Sequence, residues 1–215
     1  MRVSWLRCTA VAPALVWTVN ANVEKTIFLG PRAAAISAVP NAPESLDALR
    51  LASLSPAPAS SILATQLPVR FPSASAPRGL ESWYLLRGLD DGRRYEVRIC
   101  WPATVSLRRL CPLFMLTVPQ QPTDFWLDTF SIAHVFDTPD LISALARHSE
   151  GPQEPQIADP GPIKVLLPLA SESALFLRIQ AAASYYSTNR TLMEHPVPVH
   201  VDISMSNQTH HACLH

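Results

Sequence analysis

Twenty-one prolines against six glycines in 215 residues narrow the fold more than any other feature of this chain. Proline has no backbone N–H and breaks a helix interior at a cost of about 3 kcal/mol. Within sheets it is confined to edges, strand starts and bulges. A chain this rich in proline is not mostly helical. It reads as short strands joined by Pro-rich connections, and a hydrophobic content of 48% supplies a core to hold them.

The formal net charge is zero and only 16% of residues are charged. No basic patch points to nucleic acid, and no acidic run points to a solvating tail. The first 21 residues read as a secretory signal peptide. Arg2 and Arg7 form the basic region, Cys8 to Val19 the apolar stretch, and Val19-Asn20-Ala21 the small-residue site, with cleavage before Asn22. The apolar stretch is shorter than the ~20 residues that span a bilayer. Lys164, Glu172 and Arg178 interrupt the other apolar region, Ile163 to Ala183.

Along the remaining chain, residues 22–203 read as a single domain. Asn22 to Leu29 is a first strand. The Pro/Ser/Ala-rich stretch 31–77 is an insertion, with a helical turn at Leu46 to Leu54 and a short strand at Gln66 to Phe71. Ser82 to Leu86 is a strand, Leu89-Asp90-Asp91-Gly92 a turn, and Arg94 to Trp101 a half-buried strand. In that strand Tyr95, Val97, Ile99 and Trp101 share one face. Phe125 to Phe136 continues as strand. Thr138-Pro139-Asp140 opens a short helix to about Arg147, with Thr138 as N-cap and Pro139 at the first helical position. An exposed loop at Glu150 to Pro162 precedes strands at Ile163 to Leu167, Ala174 to Ala181 and Val197 to Ile203. The sum is an all-β, antiparallel β-sandwich with one short helix and long Pro-rich loops.

Two stretches break this pattern. Val105–Gln120, VSLRRLCPLFMLTVPQ, interrupts flanks that would otherwise join as strand, turn and strand. Val-Ser, Leu-Thr and a terminal Gln can be encoded by splice-donor, branch-point and acceptor sequences, so these sixteen residues read as a retained in-frame intron or as a long surface loop. From Ser204 to His215 the alternation stops, and 204–215 reads as a disordered or misread tail. The true continuation after Ile203 is expected to carry a membrane anchor.

Of four cysteines, Cys8 lies in the signal peptide, and Cys111 and Cys213 lie in the two irregular stretches. Cys100 is then a lone, small buried hydrophobe, with Cys100–Cys111 pairing as the alternative. Asn189-Arg190-Thr191 and Asn207-Gln208-Thr209 are glycosylation sequons.

Leu89-Asp90-Asp91-Gly92-Arg93-Arg94-Tyr95 resembles the E–F corner of fibronectin type III and related immunoglobulin-like domains. There a Leu stands six residues before a Tyr whose hydroxyl bonds a backbone group upstream. Leu89 and Tyr95 match, and Asp91 replaces the usual Pro. The resemblance spans Trp83 to Trp101 and implies an elaborated sandwich with Leu89 and Tyr95 as its structural corner; it implies no activity. With the leader and the interruption, the chain is read as a fungal-type luminal domain of a membrane protein with a retained intron.

Catalytic signatures are missing: no G-x-S-x-G, H-E-x-x-H, C-x-x-C or glycine-rich phosphate loop occurs. Asp124, Asp128, His134, Asp137 and Asp140 form the densest titratable cluster. Asp124, Asp128 and His134 are expected on one strand face, and an exposed face plus a helix cap explains them. His210, His211, Cys213 and His215 fit no standard zinc spacing. No metal and no cofactor is expected. Trp83, Trp101 and Trp126 are the candidate binding surface, with core packing as the competing role. Two functions follow. The first is a non-enzymatic luminal interaction or accessory subunit in the endoplasmic reticulum, with a protein partner and a C-terminal membrane anchor. The second is a secreted carbohydrate-binding or carbohydrate-active protein using the aromatics and the Asp124/Asp128 pair.

Overall fold

A computed structural model describes residues 21–33, 35–102, 104–107, 116–119, 121–151 and 173–207. The strands in chain order are β1 (Ala21–Leu29), β2 (Ser53–Leu54), β3 (Ile62–Leu67), β4 (Leu80–Leu86), β5 (Arg94–Pro102), β6 (Thr104–Leu107), β7 (Leu116–Pro119), β8 (Thr123–Ser131), β9 (Leu175–Ala183) and β10 (Val199–Asn207). The helices are α1 (Ile132–Asp137), α2 (Pro139–Glu150) and α3 (Arg190–Glu194). β1-β5-β10-β3 form one sheet, here the outer sheet. β2-β4-β9-β8 form a second, central sheet, and β6 and β7 pair as a separate ribbon. All pairings are antiparallel except β2 with β4.

The protein is thus the expected β-sandwich. One hydrophobic core joins the two sheets: Tyr95, Val97, Ile99, Trp101, Val201, Ile203 and Met205 meet Tyr84, Leu86, Phe125, Leu177 and Ile179. A second core covers the other face of the central sheet, where Trp83, Leu85 and Phe176 pack against Ile132, Val135, Phe136 and Leu145 of α1 and α2. The central sheet is therefore buried from both sides. That is why Ser82 to Leu86 carries no polar alternation and is buried without a break.

Consecutive strands mostly lie in different sheets, so the chain crosses between layers instead of folding back on itself. Crossings need longer connections than two-residue hairpins, which accounts for the Pro-rich loops. The Asp91-Gly92 turn is one such crossing. It carries the chain from β4 to β5, with Gly92 at φ 70°.

Several expectations change. The strand expected from Phe125 to Phe136 ends at Ser131, whose hydroxyl accepts from the His134 N–H at 3.2 Å and caps α1. Ile132, Val135 and Phe136 are at i, i+3 and i+4, a helical period, and all three are buried. His134 therefore does not share a strand face with Asp124 and Asp128. The helix that begins at Pro139 runs to Glu150, past Arg147, and three α-helices stand among the described residues where one was expected. Stretch 31–77 is part of the sandwich: it supplies β2 and β3 and buries Leu46, Leu54 and Leu67 at 1% exposure each. The last strand continues past Ile203. Ser204 to Asn207 pair with Arg98 to Tyr95, and Met205 is 2% exposed.

Thr104–Leu107 and Leu116–Pro119 form the β6/β7 ribbon, which apart from Thr104 lies within the interruption. Its flanks meet without it, because Trp101 and Phe125 have ring centroids 4.6 Å apart. Cys100 is disulfide-bonded and not a lone thiol. The other three cysteines lie outside the described residues, as do residues 1–20 of the leader, the expected strand at 163–167 and the tail from 208.

Candidate functional site: the open half of the central sheet

The helices cover only part of the central sheet's outer face. Strand register sets what lies beyond them. Leu85, Phe176 and Phe130 form a row under α1 and α2; Trp83, Arg178 and Asp128 form the next row; Glu81, Gln180 and Trp126 form the row after that. The face grades from apolar to polar and aromatic as it leaves the helices.

Arg178 is the centre. Its Nη2 donates to Asp128 Oδ2 at 2.7 Å, and its Nη1 lies 3.6 Å from Glu81 Oε1. The guanidinium stands 5.0 Å from the Phe130 ring centroid and 5.9 Å from that of Trp83. Gln180 Nε2 donates to Glu81 Oε1 at 3.0 Å. Arg78 is 4.0 Å from Asp128 and lies over the Trp126 ring at 5.6 Å. Stacking on aromatic faces suits arginine because its planar guanidinium is weakly hydrated. Arg78 enters through Gly79, at φ 78°, where a Cβ would sit 1.9 Å from the Ala181 carbonyl oxygen. Glycine is required there.

Among the described residues, three polar atoms of this patch are buried without a hydrogen-bond partner: Trp83 Nε1, Arg178 Nε and Gln180 Oε1. Natural proteins leave few such groups. Below the patch, His148 of α2 bonds the Trp83 backbone. Burial holds its pKa below the ordinary value, and that bond offsets the effect in part.

The sequence-predicted tryptophans separate. Trp83 is fully buried and Trp101 is 8% exposed, so neither forms a binding surface; each fills a core. Trp126 alone is half-exposed, and Asp124 and Asp128 flank it on the same face of β8. Arg78, Glu81, Arg178 and Gln180 were missed as site residues. Arg178 had shown only as an interruption of an apolar run, and its partners lie 50 and 97 positions away in sequence. Asp137 and Asp140 are exposed at helix ends, and His134 stacks on Phe130 at 5.8 Å. No group of three or more His, Cys, Asp or Glu side chains among the described residues is placed to hold a metal ion. His210, His211, Cys213 and His215 lie outside them. The patch offers donors, acceptors and a ring face, with the Glu81 and Asp128 carboxylates tied to cations and an amide.

At the other structural site, Leu89 is 5% exposed and Tyr95 fully buried. The Tyr95 hydroxyl accepts from the Asp90 N–H at 2.9 Å and lies 3.3 Å from Asp90 Oδ2. Gly30 fits against this turn, where a Cβ would lie 2.0 Å from the Asp90 carbonyl oxygen. Of the two sequons, Asn189 is exposed at the N-cap of α3, its Oδ1 accepting from the Thr191 N–H at 3.1 Å. Asn207 ends β10, and its Oδ1 is buried with no partner among the described residues.

No protein-family model, curated protein or solved structure compared with this chain matches it.

Proposed function

We propose that this chain is a non-enzymatic luminal β-sandwich domain of the secretory pathway, acting at the endoplasmic reticulum as an interaction or accessory subunit of a type I membrane protein. The observation that carries the reading is the Trp126–Arg78–Arg178 patch. Trp and Arg dominate interface hot spots when set among groups that exclude water, and here both types sit half-exposed in one place with Glu81, Asp124 and Asp128 around them. The disulfide at Cys100 supports an oxidising compartment. The signal-like leader and the exposed Asn189 sequon agree with it. The Tyr95–Asp90 bond and the crossing from β4 to β5 support the fibronectin-like reading of the corner.

The experiment is capture of a partner from detergent-solubilised microsomes. The unmodified domain retains a discrete partner, and Trp126→Ala loses it with a decrease of at least about 30-fold in affinity. Tyr186→Ala, at an 85% exposed aromatic, is the control and retains it. Equal retention by Trp126→Ala removes the patch as the interface. A carbohydrate ligand is the second reading, favoured by Asp124, Trp126 and Asp128 sharing one strand face. Glycan-array binding lost in Trp126→Ala would support it.

A further inference from the structure

The edge of the outer sheet carries a second, independent surface. β1 runs in unbroken register with β5 from Ala21 opposite Pro102 to Leu29 opposite Arg94. In an antiparallel pair, alternate residues direct both backbone groups to the neighbouring strand, and the residues between direct theirs away. Gly30 donates to the Arg93 carbonyl at 2.7 Å, continuing the register. By alternation Asn22, Glu24, Thr26 and Phe28 bond β5. Val23, Lys25, Ile27 and Leu29 turn their N–H and C=O groups to the free edge.

The same four residues place their side chains on the outer face, opposite Cys100, Arg98, Glu96 and Arg94. Val23, Ile27 and Leu29 are 44%, 40% and 61% exposed. Asn22 to Lys25 are exposed on both faces; β8 of the central sheet comes close to β1, but among the described residues no strand pairs with this edge. Proteins blunt edge strands with shortness, proline, bulges or charge. β2 is two residues long and β3 stops at Pro68, whereas β1 is nine residues with neither bulge nor proline. Lys25 is its only cationic guard.

We propose that β1 captures an extended segment of another protein as an added strand, with one acidic side chain set among apolar ones on the outer face. Backbone groups fix the occupant as a strand, and charge fixes its type. On the outer face, β1 and β5 hold Lys25, Arg94 and Arg98 against Glu96, which pairs with Lys25 at 3.4 Å and with Arg98, so these two strands stay net basic; Asp202 follows on β10. A second copy of this chain would bring its own Lys25 to that basic edge and be repelled. An acidic side chain beside Lys25, with apolar ones beside Val23, Ile27 and Leu29, complements the edge.

The probe is the labelled peptide Ile-Thr-Ile-Thr-Glu-Thr-Ile, with Lys in place of Glu as its control, read by fluorescence anisotropy. The Glu peptide binds and the Lys peptide does not. Lys25→Pro removes an edge N–H while keeping the β5 bonds, a position where proline is tolerated, and weakens binding at least about tenfold. Trp126→Ala binds the peptide as the unmodified chain does, which separates this surface from the Trp126 patch. Hydrogen exchange of the unmodified chain gives a readout that needs no variant: peptide slows the amides of Val23, Lys25, Ile27 and Leu29. No binding of the Glu peptide, equal binding by Lys25→Pro, or unchanged exchange at those amides overturns the proposal. So does a dimer that Lys25→Pro dissolves, since a second copy then owns the edge.

Discussion

Removing one oxygen atom from Tyr95 tests the packing argument at its most exposed point. The ring is fully buried and stacks on Phe28 with centroids 5.9 Å apart. Tyr95→Phe keeps those contacts and deletes only the hydroxyl. The Asp90 N–H, bonded at 2.9 Å, is then left without a protein partner beside the crossing from β4 to β5. Stranding a part-buried donor costs about 1–3 kcal/mol. The longer link from the hydroxyl to Asp90 Oδ2, at 3.3 Å to a side chain that is 67% exposed, adds little. The expected loss is about 2 kcal/mol, which for a domain of this size lowers Tm by about 4–8 °C. Urea unfolding followed by circular dichroism measures the free energy, and the slope should not change. Tyr95→Leu also removes ring area and should cost more. A Tyr95→Phe loss below about 0.5 kcal/mol would refute the claim that this hydroxyl anchors the corner.

Three other outcomes follow. Burial opposes ionisation of Glu96, but Arg98 and Lys25 outweigh it and hold its pKa below 4.5. The unfolded chain therefore takes up the proton first; the stabilisation is present above about pH 4.5 and is lost as pH falls through the folded value. Glu96→Gln should flatten that acid limb of the urea-midpoint profile, and an unchanged limb would show that Glu96 does not drive it. In a eukaryotic secretory expression host, Asn189→Gln should remove an endoglycosidase-sensitive gel shift, because Asn189 is exposed and its Oδ1, not its Nδ2, is engaged. A shift that survives this change and disappears in Asn207→Gln would reverse the assignment. Deleting Val105–Gln120 should leave a cooperative thermal transition, since Trp101 and Phe125 already hold the flanks 4.6 Å apart by ring centroid; a molten product would show that the ribbon is structural.

The sandwich was legible where apolar and polar side chains alternate along a strand. Tyr95, Val97, Ile99 and Trp101 alternate, and all four are in the core. The central sheet was harder to read because both its faces are covered, so β4 shows an apolar run without a period. The switch from β8 to α1 happens at Ser131 with no Gly or Pro to mark it. Only the move of Ile132, Val135 and Phe136 to helical spacing records it. The patch was nearly invisible. Glu81, Asp128 and Arg178 come from three strands and meet only through the registers of β4, β9 and β8. Trp126 was legible as an aromatic, but nothing in the sequence distinguished it from the buried Trp83 and Trp101.

The most direct test of the interaction reading is a photo-crosslinking residue at position 124, exposed on the same strand face as Trp126. The full chain is expressed in cells, and sealed microsomes are irradiated and then treated with protease from outside. A protected, discrete adduct that disappears with Trp126→Ala is the predicted result. An adduct destroyed by the protease, or one unchanged by Trp126→Ala, contradicts the account.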